Sequence, residues 1–256
     1  MCKPTFIYWV VSTIIIAFCC IDNSNAQCGF VQLDKFENVW VCSRGEVIVF
    51  DKNFKRIGSY SSLILGNPEY IDTSDPFRVM VFYKTKQIVV VLNSRASEIS
   101  NPINLKDKGI DDALLVCKSN NGGFWVFDRL KWEIIHFDSA FNPTGEKIFP
   151  ENSFTDAIPQ YMLEYKGIVY ITFKELGISR FDSYGSYRGT IPLNINGFFS
   201  ITDSTIFYQT GKEILKYIIE SKESKPVFIG TTCIPISFQG NLLTFDGSRL
   251  AVHKIR

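Results

Sequence analysis

Histidine is nearly missing from this chain, which carries two, His136 and His253. Both fall in apolar, strand-like runs rather than in loops. A metal centre or a nucleophile–base pair needs imidazoles that converge with carboxylates or thiols, so strand histidines argue against either. Zinc-protease, Walker and nucleophile-elbow patterns are also absent. The segment around Ser186, DSYGSYRG, lacks the glycine that an elbow places two residues before its serine. No catalytic residue, metal ligand or cofactor is therefore expected. An excess of one charge sign is lacking too. Lys and Arg number 27 against 26 Asp and Glu, a formal net charge of +1, which removes the general electrostatic drive for nucleic-acid binding. Helical periodicity at i, i+3, i+4 is sustained nowhere after Ala26.

Long apolar runs are confined to the N-terminus. Lys3 opens a short positive region, Phe6–Ile21 is almost wholly apolar, and Ser24-Asn25-Ala26 places small residues before Gln27. That pattern reads as a secretory signal over residues 1–26. A retained anchor would need about 20 apolar residues and a stop-transfer flank, whereas polar Asp22–Asn25 follows here. Export is expected, to the periplasm or the extracellular space, with cleavage after Ala26 and no membrane span thereafter. Cys28, Cys42, Cys117 and Cys233 then remain, and sequence does not separate their possible connectivities. Cys28 and Cys42 flank a turn at Lys35–Asn38 and can pair. The expectation preferred is that all four are small buried hydrophobes within strands.

What is abundant is strand-forming sequence. In the stretch NGGFWVFDRLKWEIIHFDSAFNPTG, residues 121–145, two aromatic and β-branched runs flank a charged turn, and an Asn-Pro-Thr-Gly turn follows. The second run recurs as EVIVFD, IVVVLN, EIIHFD and GISRFD, then more weakly as EILKYI and LAVHKI. Anchored on Phe50, Leu92, Phe137, Phe181, Tyr217 and His253, the intervals are 42, 45, 44, 36 and 36 residues. A period near 40 residues with several strands per period marks a β-propeller. An earlier apolar run precedes each copy, and before most of those lies a further short one, such as EYID, LLVC and YMLEY. The expected fold is all-β, a six-bladed β-propeller over residues 27–256. Its last blade either stays three-stranded or borrows an N-terminal segment to close the ring.

Acidic pairs are the remaining residues able to hold calcium or act as an acid–base pair. Asp111-Asp112 lies in a long connection, and Asp72 and Asp75 flank a turn in IDTSDP. Turns favour Asp because its side chain caps local backbone donors, so these are expected to be solvated turn residues. The turns joining second to third strands carry a cation in every repeat: Arg44, Lys84 with Lys86, Arg129 with Lys131, Lys174, Lys212 and Arg249. In a propeller these turns share one end of the ring with the long connections Asn101–Ala113 and Phe149–Gln160. Loops held by a rigid scaffold carry function. The candidate binding surface therefore joins Arg44, Lys84, Arg129 and Lys131 to the apolar or aromatic Ile110, Phe154, Ile158 and Tyr161.

The stretch GGFWVFDRLKWEIIHFD resembles six-bladed propellers of the NHL and YWTD sort, over nearly all of Gln27–Arg256, although the YWTD tetrad itself is absent. The short blades and FD-ending third strands look most like uncharacterised exported propellers of Bacteroidota-type bacteria. They are more loosely similar to propeller-like periplasmic subunits of the type IX secretion translocon. A well-formed repeat fold with no convergent catalytic set points to a non-enzymatic scaffold for protein–protein interaction, and the resemblance implies an accessory of a secretion or cell-envelope complex. The rival expectation is a propeller hydrolase or lyase with an acid or metal site in its central channel. For that role the chain offers Glu69, Asp111, Asp112, Asp156 and Glu164.

Overall fold

The computed structural model describes residues 14–16, 30–150, 157–195, 197–211, 213–229, 236–238, 241–245 and 250–254. Runs rich in Val, Ile, Phe and Tyr become strands because branched and aromatic side chains pack well on a pleated surface. Five four-stranded antiparallel sheets are each built from four consecutive strands. Blade 1 holds Phe30–Leu33, Val39–Ser43, Glu46–Phe50 and Arg56–Ser61. Blade 2 holds Tyr70–Asp72, Val79–Tyr83, Ile88–Leu92 and Ile103–Asn104. Blade 3 is Ala113–Lys118, Phe124–Asp128, Glu133–Phe137 and Pro143–Ile148. Blade 4 is Pro159–Tyr165, Ile168–Phe173, Gly177–Asp182 and Tyr187–Ile191. Blade 5 is Phe199–Ile201, Thr205–Thr210, Glu213–Ile218 and Glu223–Ile229. The protein is an all-β propeller.

The blade count corrects the expectation of six. Five blades are each cut from one continuous stretch, and the last repeat enters a composite sheet instead. There Ile236–Phe238, Asn241–Phe245 and Leu250–Lys254 are joined by Ile14–Ile16, which pairs antiparallel with Leu250–Val252. An unpaired sheet edge leaves backbone donors and acceptors open, and here an N-terminal strand fills them. That strand falls within the 1–26 segment expected to be removed.

Alternation explains why both faces of the strands are apolar. In blade 3, Phe124 and Val126 pack towards blade 2 with Met80, Phe82, Val89 and Val91. Their neighbours Trp125 and Phe127 point the other way, to Met162, Val169, Ile171 and Phe173 of blade 4. A period of two thus feeds two interfaces, so every residue of Phe124–Asp128 is buried. Trp40, Val47 and Val49 of blade 1 likewise meet Ile71, Val79, Val81 and Val90 of blade 2.

The recurring Asp or Asn after the third strand has a structural cause. Asp51, Asn93, Asp138 and Asp182 each accept, through Oδ1, the backbone N–H groups two and four residues on, at 2.8–3.1 Å. The residue three on takes a left-handed conformation: Phe54, Ala96, Phe141 and Gly185 have φ between 58° and 89°. The carboxylate or amide stands in for the strand ladder where the chain reverses. Asp34 builds the same turn after the first strand of blade 1, holding the N–H groups of Phe36 and Asn38 and the indole of Trp40.

Hydrogen-bonded order follows chain order within the five blades, and first strands touch between neighbours, so they form the inner ring. Connections in such a meander alternate between its two ends. Turns after first and third strands lie at what we call the near end. Turns after second strands, and the connections between blades, lie at the far end.

Candidate functional site

Two cavities open along the axis. The near-end cavity, about 190 Å³, is walled by inner strands of four blades, through Gln32, Asp72, Thr73, Glu164, Tyr165 and Ser200 among others. The far-end cavity, about 160 Å³, is lined by Glu69, Lys84, Leu115 and Gln160 among others. Tyr70, Tyr161 and Phe198 belong to both walls and so stand between them. Tyr161 meets Tyr70 edge-on with ring centroids 5.7 Å apart, and meets Phe198 and Phe199 at 4.9 and 5.3 Å. These offset and edge contacts are the favourable aromatic arrangements. The phenol of Tyr161 lies beside Tyr70 and Gln32. Burial pushes the pKa of both phenols well up, since the anion would sit away from water, with the Asp72 carboxylate adding to the rise. Tyr70 also reaches the Met162 carbonyl of blade 4 at 3.4 Å.

Asp72 is 6% exposed, which corrects the expectation of a solvated turn residue. Its Oδ1 accepts the Ser74 N–H at 3.0 Å and its Oδ2 accepts the Lys118 N–H of blade 3 at 2.8 Å. The turn role was rightly expected, but ring geometry turns this carboxylate inward. The next residue, Thr73, donates its hydroxyl to the Leu33 carbonyl at 2.8 Å, tying blade 2 to blade 1. Glu164 accepts the Trp125 indole N–H through Oε2 at 2.6 Å. Lys118 is buried beside them, with Nζ 3.3 Å from the Gly123 carbonyl and 3.9 Å from Asp75 Oδ2. Burial pulls its pKa down, and the charge of Arg78 adds to that.

The other candidate acids scatter. Glu69 serves the far end, accepting the Lys84 N–H at 2.7 Å. Asp112 pairs with Arg129 at 2.5 Å, Asp111 is exposed, and Asp156 lies outside the described residues. Among the described residues, no three His, Cys, Asp or Glu side chains come together as a metal site would require. His136 is buried against Trp125, ring centroids 4.6 Å apart, with Thr144 and Glu146 each 3.1 Å from Nδ1. The side chain of His253 lies outside the described residues. Cys42 and Cys117 are free and buried, as the preferred cysteine expectation has it, whereas Cys28 and Cys233 lie outside the described residues. Burial raises the Cys42 thiol to about 12, with Glu69 contributing, so it is a poor nucleophile.

The expected binding surface is partly rearranged. Ile110 and Tyr161 are 1% and 5% exposed, so neither is an exposed anchor: Ile110 packs in the core and Tyr161 closes the channel. Phe154 lies outside the described residues. Ile158 is exposed at the far end as expected. Leu63, Ile64, Leu130, Phe149 and Leu176 are exposed on far-end turns and connections as well. Leu130 and Leu176 sit in second-to-third-strand turns and Phe149 in the connection Phe149–Gln160, both expected at that end, whereas Leu63 and Ile64 lie in the connection from blade 1 to blade 2, which the sequence does not mark. The Lys174 N–H donates to the Ile158 carbonyl at 2.9 Å, which brings the turn of Leu176 against the connection of Ile158. The cations are engaged locally. Arg129 pairs with Asp112, and Lys131 reaches the Gly109 carbonyl at 2.9 Å. Arg44 sits exposed in a left-handed turn with Gly45.

No known family's sequence profile matches the chain, and no curated protein matches it in sequence. Solved structures do match in fold. A streptogramin B lyase superposes with a TM-score of 0.65 at 8% identity, covering 96% of this chain and 98% of the other. BBS1N, solved in complex with ARL6DN, gives 0.56 at 11% identity over 88% and 77%. BamB from Moraxella catarrhalis gives 0.51 at 8% over 88% and 84%. At such identities the likeness defines the protein as a β-propeller and assigns no activity. No helix among the described residues is long and apolar enough to cross a membrane.

Proposed function

We propose that this propeller is an exported, non-enzymatic scaffold that binds another protein across its far end. The observation that carries the reading is the set of large apolar side chains exposed there: Leu63, Ile64, Leu130, Phe149, Ile158 and Leu176. Isolated surface hydrophobes are ordinary, but several on one end, beside charged turns, have the make-up of an interface core with a polar rim. Arg44, Lys84, Arg129 and Lys131 supply that rim. The structure of BBS1N with ARL6DN supports the reading by example, since a propeller there is held in a protein complex. Export belongs to the same proposal, with the mature chain beginning near Gln27.

The test is capture of co-purifying protein by two folded variants. Leu130→Ser, Ile158→Ser and Leu176→Ser together should abolish capture. Phe36→Ser, Phe77→Ser and Tyr184→Ser, exposed at the near end, should leave it intact. The reverse outcome overturns the assignment of the working face. Intact-mass analysis of exported protein tests cleavage, and a species retaining residues 1–26 would overturn that part.

A further inference from the structure

We propose that the near-end cavity is a binding site for a small organic cation, an amine or quaternary ammonium group. This rests on different residues, at the opposite end of the ring, from the proposed docking face. The walls combine aromatic rings, Tyr70, Tyr161, Tyr165, Phe198 and Phe199, with two carboxylates, Asp72 and Glu164. Among the described residues that line it there is no Lys, Arg or His. Aromatic faces attract cations through the ring quadrupole, and a carboxylate adds charge complementarity. An anion would meet two like charges and no donor cation.

The cations beside these walls are turned to acids of their own. Lys118 Nζ faces Asp75, and Lys166 Nζ lies 2.5 Å from Asp203 Oδ1. Tyr165 donates its hydroxyl to that same Asp203, which fixes the ring at the cavity wall. Lys166, an exposed residue outside the lining, has its Nζ 5.7 Å from the Tyr165 ring centroid. Size agrees as well. A cavity of about 150 Å³ accommodates benzene, and this one, at about 190 Å³, takes a tetramethylammonium or choline head.

The test uses the exported chain and two probes of one shape, choline and its neutral carbon isostere 3,3-dimethylbutan-1-ol, titrated by ligand-observed NMR. Choline should bind saturably and the isostere about tenfold more weakly, the difference being the charge. Glu164→Gln and Tyr165→Leu should each weaken choline by a similar factor, with the far-ultraviolet circular-dichroism spectrum of the fold unchanged. Equal binding of both probes would show an apolar cavity without charge selectivity and overturn the proposal. So would an absence of saturable choline binding to the wild-type protein. Choline binding that neither variant weakens would place the cation elsewhere and overturn it equally.

Discussion

Trp125 offers the sharpest test of how the blades are held together. Its indole is 1% exposed between blades 3 and 4, and its N–H donates to Glu164 Oε2 at 2.6 Å. Trp125→Phe keeps an aromatic ring in place but removes the donor and part of the bicyclic volume. A hydrogen bond to a charged group is worth about 1.5–3 kcal/mol. The space left in a close-packed interface adds about 1–2 kcal/mol. The single variant should therefore lose about 2.5–5 kcal/mol, a large part of a domain's usual stability. Glu164→Leu alone should strand the indole N–H, and both changes together should cost less than the sum. Urea unfolding followed by circular dichroism on all four proteins gives the coupling energy, expected at about 1.5–3 kcal/mol. A coupling below about 0.5 kcal/mol would show that the two side chains act independently, and would refute the bridge between these blades.

Gly123 sits at φ +75°, where a Cβ would come 1.8 Å from the Phe137 carbonyl oxygen, whereas at Gly122 the nearest atom would be 3.9 Å away. Gly123→Ala should lose more than about 1 kcal/mol and clearly more than Gly122→Ala in the same urea titration, and the opposite order would show the turn is misplaced. In acid, the Asp138 carboxyl is held below its usual range chiefly by the Asn142 N–H. At Asp182, desolvation pushes upward but is outweighed by the Ser186 N–H and the Arg188 guanidinium. Depressed folded-state values give stability that is present above the unfolded pKa, about 3.9, and lost as pH falls through the folded one. The melting midpoint should drop below about pH 4, and Asp182→Asn should flatten that slope, an unchanged slope counting against the cap. In alkali the sign is opposite. Tyr70 and Tyr161 have raised values, so their contribution is intact below about pH 10 and lost as pH rises past it. Absorbance titration should find these phenols ionising only with unfolding, and early reversible ionisation of every tyrosine would contradict the buried plug.

The repeat was legible because it is a local property. Phe and Asp at the end of the third strand recur since the Phe must fill an interface and the Asp must cap a four-residue reversal, at Asp51, Asp138 and Asp182 alike. Buried Cys42 and Cys117 were legible for the same reason, both lying inside apolar strands. Blade count was less so. Copies of a strand triplet do not say which chain segment supplies an outer edge, and Ile14–Ile16 carries no sequence mark of pairing with Leu250–Val252. Tyr161 was misjudged because burial on an inner strand depends on what lies across the axis, and Ile110 because the connection before blade 3 folds back, its N–H donating to the Leu105 carbonyl at 3.0 Å, so that both side chains enter the core. Tyr161 finds Tyr70, which is far away in sequence. Asp72 had a detectable signal. It ends the inner strand of blade 2, as Glu164 lies near the end of that of blade 4, and polar residues in otherwise apolar inner strands can only face the channel or a turn.

The plug sets what each residue can report. Tyr70, Tyr161 and Phe198 separate the two cavities, so a ligand at the near end and a protein at the far end meet different side chains. Coupling between them would need the plug to have two packings, and a close-packed aromatic cluster resists small displacements. The near-end walls are not interchangeable as probes, however. Asp72 holds the Lys118 N–H, and Thr73 beside it holds the Leu33 carbonyl, so these two residues set how blades 1, 2 and 3 meet. A change at Asp72 therefore shifts blade packing and cavity charge together. Tyr165 reaches the cavity from a hairpin whose two central residues, Lys166 and Gly167, both have positive φ, and its hydroxyl partner is the exposed Asp203. Weaker cation binding after Tyr165→Leu consequently speaks for the cavity itself, while the same loss after Asp72→Asn speaks first for the ring.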